Sequence, residues 1–252
     1  MQPLRTDLSI FSKFELDYPP VGVKFLILRP DGMEQLDKAM ALCEMIKEAQ
    51  QREKPFYMTS ENENCSGKAT LGMMGHSSPI AESGQVGIKF GIFQEPRANG
   101  KLNKQAPAFS PGVVNYIAFA RFDRLTFDPD LLVFIGTPTQ AEIVMRAVSY
   151  STGDFWTSKL SPVGACAWTF TYPFQSGNVN YVPTGMTFGM KARKVYPEGL
   201  IQISIPYNWI PTIVENLNQM DWVLPAYSDT SEEFTVRNEK IMAELAQEFR
   251  DP

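Results

Sequence analysis

The sequence predicts a mixed α+β domain, and three observations carry that reading. Short β-branched and aromatic runs bounded by proline or glycine read as strands. Amphipathic stretches opened by capping signals read as helices. The two kinds interleave without a strict βα period, which gives α+β or mixed α/β rather than a regular repeat of units. The 252 residues are expected to form one large domain, 1–252, with room for two lobes around a cleft.

The elements follow in order. Val21-Gly22-Val23-Lys24-Phe25-Leu26-Ile27-Leu28 is a strand between Pro20 and Pro30, with a turn at Asp31-Gly32. Met33 to Arg52 predicts a helix. Leu36, Met40, Cys43 and Ile46 recur at spacings of 4, 3 and 3, so Cys43 points inward. Pro55 to Thr59 is a short strand. Val86-Gly87-Ile88-Lys89-Phe90 to Phe93 reads as another, and it echoes Val21 to Phe25. Chance likeness between two β-rich pentapeptides is the simpler account, since no wider repeat supports a duplication. Glu95 to Gly112 reads as a long surface loop.

Val113 to Ala120 and the apolar run Leu131 to Ile135 are strands, the second buried. Thr137 then caps a helix to about Ser151, with Pro138 in first place and Gln140 completing a capping box. Leu200 to Ile205 is a strand and Ile210 to Met220 a helix. Thr230-Ser231-Glu232-Glu233 opens a last helix to Arg250, with an apolar stripe of Phe234, Ile241, Leu245 and Phe249.

Composition removes several function classes. Net charge is −5 and the basic residues are scattered, which argues against a nucleic-acid binder. No apolar run reaches membrane-spanning length. Met1 to Leu16 has no signal-peptide core. Three widely spaced cysteines do not read as a disulfide framework, so reduced thiols in a cytoplasm are expected.

The densest chemistry lies in Ser60 to His76, which holds Cys65, the single histidine and three glycines. Cys43, Cys65 and Cys166 are candidate ligands for zinc or an iron–sulfur cluster, because thiolates suit both. Gly67, Gly72 and Gly164 would let backbone amides approach such a group. The cysteines are 22 and 101 residues apart with no C-x-x-C pair, so spacing alone is a weak signal, and a buried free cysteine is a common small hydrophobe. Cys65 with His76 as base is a second candidate, a nucleophilic pair within one loop. Covalent haem attachment has no motif here, nor do the familiar nucleotide loops. The turn Gly136-Thr137 reads as a simple helix cap. Phe155, Trp156, Trp168, Phe170, Tyr172, Phe174 and Tyr181 could line a pocket for a small molecule.

The order and spacing of several segments carry a resemblance. They are Pro20-Val21-Gly22-Val23-Lys24-Phe25, Cys43-Glu44-Met45, Cys65 with Leu71-Gly72-Met73, and Phe127-Asp128-Pro129-Asp130. Gln140-Ala141-Glu142, Ser149 to Gly153, Val163-Gly164-Ala165-Cys166, Gly185-Met186 and Ile203-Ser204-Ile205-Pro206 continue it. The chain resembles domain of unknown function family 169, prokaryotic cytoplasmic proteins found often in anaerobes and archaea. The resemblance implies cysteines at the positions of Cys43, Cys65 and Cys166. It also implies a fourth cysteine where this chain has Gly185-Met186, which would leave three thiolates and an open fourth position. Three functions follow as expectations: a cysteine-ligated metal or iron–sulfur protein with a redox partner, a metal-free module binding a small molecule, or an enzyme using Cys65 and His76.

Overall fold

The structure is a computed structural model that describes residues 4–74 and 79–249. It is built around β1, Val21–Leu26, whose β-branched and aromatic residues suit a central position in a sheet. Along its whole length β1 pairs antiparallel with β4, Tyr116–Arg121. Its other edge meets β5, Leu131–Gly136, from Val21 to Val23. β3, Phe56–Met58, joins β4 antiparallel, and β2, Glu34–Gln35, lies parallel to β3. Beyond β5 come β7, Ile201–Pro206, and then β6, Asn180–Pro183. The order among the described residues is β2-β3-β4-β1-β5-β7-β6. This is the mixed α+β fold that the sequence predicts.

Alternation along the strands sends residues to two faces. Val21, Val23, Leu131, Val133, Ile135, Ile117 and Phe119 join one core with α1, Leu42–Gln51, through Leu42, Met45, Ile46 and Ala49. Cys43 belongs to this core. On the other face Phe134 packs on Phe11 and Phe14 of an N-terminal 3-10 turn, Ser9–Phe14. The remaining helices of this part are α2 (Gly67–Thr70), α3 (Pro79–Glu82), α4 (Gln85–Lys89), α5 (Pro96–Gln105), α6 (Pro138–Ser149), α7 (Tyr172–Ser176), α8 (Phe188–Ala192) and α9 (Ile210–Gln219).

The chain divides into two compact units, Met1–Asn218 and Gln219–Pro252. The first holds the sheet. The second carries α10, Ser231–Glu248, none of whose residues is buried. Its N-terminus is the expected capping box. Thr230 accepts from the Glu233 N–H at 3.2 Å, and the Glu233 carboxylate accepts from the Thr230 N–H at 2.8 Å. The capping box at Thr137 and Gln140 forms as well.

Three expectations fail, each for an identifiable reason. The helix over Met33–Arg52 begins only at Leu42, because residues 34–35 are drawn into the sheet by β3 and Met40 bridges to Glu63. Val86 to Phe93 is not a strand but holds α4, where Gly87 packs closely on Phe93 and Asn99. The likeness to Val21–Phe25 is therefore one of letters only. Glu95 to Gly112 is not all loop, since Pro96 at a first helical position opens α5. The aromatic segment after Gly153 contains a π-helical turn, Ala167–Thr171, which no periodicity announces.

The segment Phe127-Asp128-Pro129-Asp130 locks the sheet. β5 stops pairing with β1 at Val23, and the Asp130 carboxylate takes over there. It accepts from the Phe25 N–H at 2.8 Å and from the Lys24 ammonium at 3.1 Å. Lys24 also donates to the Asp128 carbonyl at 2.8 Å. The half-buried Asp130 thus extends the ladder with a side chain. Replacing Asp130 by Ala leaves Phe25 N–H and Lys24 without these acceptors. It should cost about 1–3 kcal/mol, read as a lower denaturant midpoint with unchanged slope.

Candidate functional site

Two hydrogen-bonded segments carry the first two cysteines towards each other. The Met40 N–H donates to the Asn62 carbonyl at 2.8 Å, and the Asn64 N–H to the Met40 carbonyl at 3.3 Å. The Asn62 side chain donates to the Leu36 carbonyl at 2.8 Å and accepts from the Thr59 N–H at 3.0 Å. Residues 59–64 are thereby tied along residues 36–40, directly before α1. Cys43 is the second residue of α1 and Cys65 leaves the tied segment.

Glu63 then fixes the loop. Its residue surface is 1% exposed. One carboxylate oxygen accepts from the Cys65 N–H at 2.9 Å and the other from the Lys68 N–H at 3.2 Å, with the Gly67 N–H adding to them. Burial pushes the Glu63 pKa up, and these amides pull against that shift. The carboxylate consumes the amides that open α2. Sequence reasoning passed over Glu63, although an acid just ahead of a short helix start is the signal that could have found it.

Gly67 lets the loop approach Cys166. A Cβ there would collide with Leu42 and lie 3.0 Å from the Cys166 sulfur. The other two candidate glycines serve turns. Gly72 has φ +65° and crowds the Ser110 carbonyl, while Gly164 has φ +72° and an open outer side. Cys166 leads directly into the π-helical turn, a rare geometry common at functional sites.

The structure brings all three thiols into mutual electrostatic reach. Burial, then Glu44 and Cys65, push the Cys43 pKa up to about 12. Burial, then Cys43, Glu63 and Cys65, hold the Cys166 pKa well above 9.0. No disulfide joins the three cysteines, and Cys65 is exposed. Arg193, just past α8, reaches this corner too. It donates to the Glu44 carboxylate at 3.0 Å and to the side-chain oxygen of Asn64, the neighbour of Cys65, at 3.3 Å. His76 lies outside the described residues. Met186 stands 57% exposed in the turn after β6.

The donor chemistry, three thiols with a buried carboxylate beside them, suits a thiophilic metal. Among the described residues, however, no three His, Cys, Asp or Glu side chains stand in an arrangement that could hold a metal ion. The thiols are neighbours, not a closed ligand set.

A groove of about 410 Å³ is lined in part by Glu44 and Asn64, the sequence neighbours of Cys43 and Cys65, and by Lys47, Glu48, Arg193 and Lys194. A second cavity of about 230 Å³ lies against Arg29, Tyr57 and Tyr116. Neither is walled by the aromatic residues between 155 and 181. Phe155 is 91% exposed, Phe170 is in the core, and Phe174 packs on Phe25 and Phe109. Past α8 the chain closes a Schellman turn. Val195 N–H donates to the Met190 carbonyl at 3.2 Å and Lys194 N–H to the Lys191 carbonyl at 3.0 Å. Lys194 takes the left-handed position at φ +51°, where glycine is usual and a lysine costs about 1–2 kcal/mol.

Fold and site together define an α+β protein with a cluster of free cysteines against one face of its sheet. The chain belongs to domain of unknown function family 169, described as "Uncharacterised ArCR", whose match covers residues 9–216. It is also similar to a protein of Methanocaldococcus jannaschii named "Uncharacterized protein MJ0308". The two are 26% identical over 204 residues, 79% of this chain and 87% of that protein. No solved structure matches the chain. Among the described residues no helix is long and apolar enough to cross a membrane.

The raised Cys43 pKa fixes the sign of an alkaline effect. The folded state holds the thiol proton up to about 12, whereas an ordinary thiol loses it near 9.0. That stabilisation is complete below 9.0 and is lost as pH rises towards 12. The metal-free protein should therefore lose stability across this window. A Cys43→Ala variant should show a flatter decline, read from denaturant midpoints against pH. Replacing Glu63 by Ala should destabilise by about 1–3 kcal/mol and raise amide hydrogen exchange at Cys65, Gly67 and Lys68.

Proposed function

We propose that this chain is a cysteine-ligated metal or iron–sulfur protein of a reducing cytoplasm, with Cys43, Cys65 and Cys166 drawn together by the bound group from their present open arrangement. The observation that carries the reading is that three cysteines 22 and 101 residues apart come to one corner, where Gly67 of the Cys65 loop packs against Leu42, the neighbour of Cys43, and against the Cys166 sulfur. A cytoplasmic setting would keep such thiols reduced. A chain this size has no need to cluster free cysteines for packing, since isolated buried cysteines serve that end. Bound there, a cluster would supply electron transfer or an open iron, and zinc would supply a Lewis acid. The protein's own part is to shed the thiol protons, and the high pKa of Cys43 makes uptake strongly pH-dependent, rising with pH. Glu63 holds the amides of the Cys65 loop, so those amides are not spare donors for a cofactor.

A second reading is favoured by Arg193. Its guanidinium donates to Asn64, next to Cys65 in the chain, and Cys65 is the exposed thiol of the three. On this reading Cys65 is a nucleophile and the two shielded thiols are bystanders. A metal-free module for a small molecule stands as the third reading, with the 410 Å³ groove in place of an aromatic cleft.

Metal and acid-labile sulfide content, measured on protein purified without oxygen, separates these readings. The metal reading expects iron with sulfide and a visible absorption band, or zinc without sulfide. Either should vanish in a triple Cys→Ala variant that keeps its far-ultraviolet circular dichroism. A colourless, metal-free protein with three titratable thiols would overturn it. Loss of turnover in Cys65→Ala alone would then support the nucleophile.

A further inference from the structure

The groove lined by Glu44, Asn64 and Arg193 has an imbalance of charge that the thiol cluster does not explain. Its two acids are already engaged. Glu44 accepts from Arg193 at 3.0 Å and from the Ala41 N–H at 2.8 Å. Glu48 accepts from Lys38 at 2.8 Å and Arg52 at 2.7 Å. Its lysines have no acid partner among the described residues. The Lys47 ammonium donates to the Val195 carbonyl at 2.8 Å and lies 5.9 Å from the centre of the Tyr196 ring. The exposed Lys194 ammonium has no protein partner among the described residues.

Lys194 also stands where the backbone favours glycine. The Schellman turn needs the left-handed conformation, and any side chain there is strained. This strained lysine lines the groove beside Arg193 and has no acid partner there among the described residues. We propose that this groove binds a small oxyanion, a carboxylate or phosphate group of a metabolite, held by Lys194 with Lys47 and presented to the Cys65 side of the cluster. The groove's volume lies within the range of small-molecule sites. Cationic walls concentrate anions even before contact. The inference is independent of the metal reading, because it concerns the groove and not the ligands of a metal.

The test uses the full chain with its thiols reduced and any metal removed by chelator, so that failure of the metal reading leaves it intact. Alkylation of Cys65 is followed by peptide mass with two reagents of similar size, anionic iodoacetate and neutral iodoacetamide. The iodoacetate-to-iodoacetamide rate ratio should exceed that of a free cysteine peptide. It should fall about threefold, the effect of one nearby unit charge in water, in both Lys194→Gln and Lys194→Gly. Only Lys194→Gly should raise the denaturation midpoint, since only it relieves the backbone. Inorganic phosphate or citrate should protect Cys65 from iodoacetamide saturably in the parent and not in Lys194→Gln. Protection by phosphate alone assigns a phosphate group, and by citrate alone a carboxylate. An unchanged ratio in both variants overturns the proposal, as does protection by neither anion beyond that of chloride at equal ionic strength.

Discussion

A buried carboxylate governs this site. Glu63 sits in the protein interior, where an isolated charge would be prohibitive. It is tolerated because backbone amides of Cys65, Gly67 and Lys68 converge on it. The same bonds turn the chain into α2, bring Gly67 against Cys166, and leave Cys65 at the surface. Lys68 reinforces the knot by donating to the Glu63 carbonyl at 2.9 Å. One acid thus gathers the amides of Cys65, Gly67 and Lys68 at a single point.

The three thiols differ because their surroundings differ. Cys43 lies in the core of α1 and Cys166 is shielded at the start of the π-helical turn, and burial disfavours the thiolate in both. Cys65 faces solvent. Without a metal, reactivity towards small molecules is therefore concentrated at Cys65. With a cation present, the shielded pair gains most, because a positive charge in a poorly solvated corner is screened least.

Elements specified by local chemistry were legible in the sequence. Thr137 with Gln140 and Thr230 with Glu233 are capping boxes in letters and in space. Leu131 to Ile135 reads as a buried strand because every residue is apolar. Where a partner strand decides, letters mislead. Val21-Gly22-Val23-Lys24-Phe25 is a strand between two neighbours, and Val86-Gly87-Ile88-Lys89-Phe90, with almost the same letters, falls mainly in a helix. Cys43 was expected to point inward, and it does so, although Leu36 and Met40 of its supposed helical stripe lie outside α1. Glu63, Arg193 and Lys194 were not singled out. Their roles depend on a loop, a guanidinium and a turn that meet only in three dimensions.

The manner in which the site is held explains why its side chains remain available. Backbone groups do the holding. The tie between Met40 and residues 62–64 is largely main-chain, Cys166 follows a glycine turn, and the Schellman closure after α8 is main-chain throughout. The side-chain anchors, Asn62 and Glu63, spend themselves on backbone partners. What is left pointing at the shared corner is soft sulfur and hard cation, side by side. Sulfur alone would suit a structural metal, and cations alone an anion pocket. Here Asn64, one residue before Cys65, shares a groove with Lys47, Arg193 and Lys194, so the proposed anion would sit next to the chain segment that carries the exposed thiol.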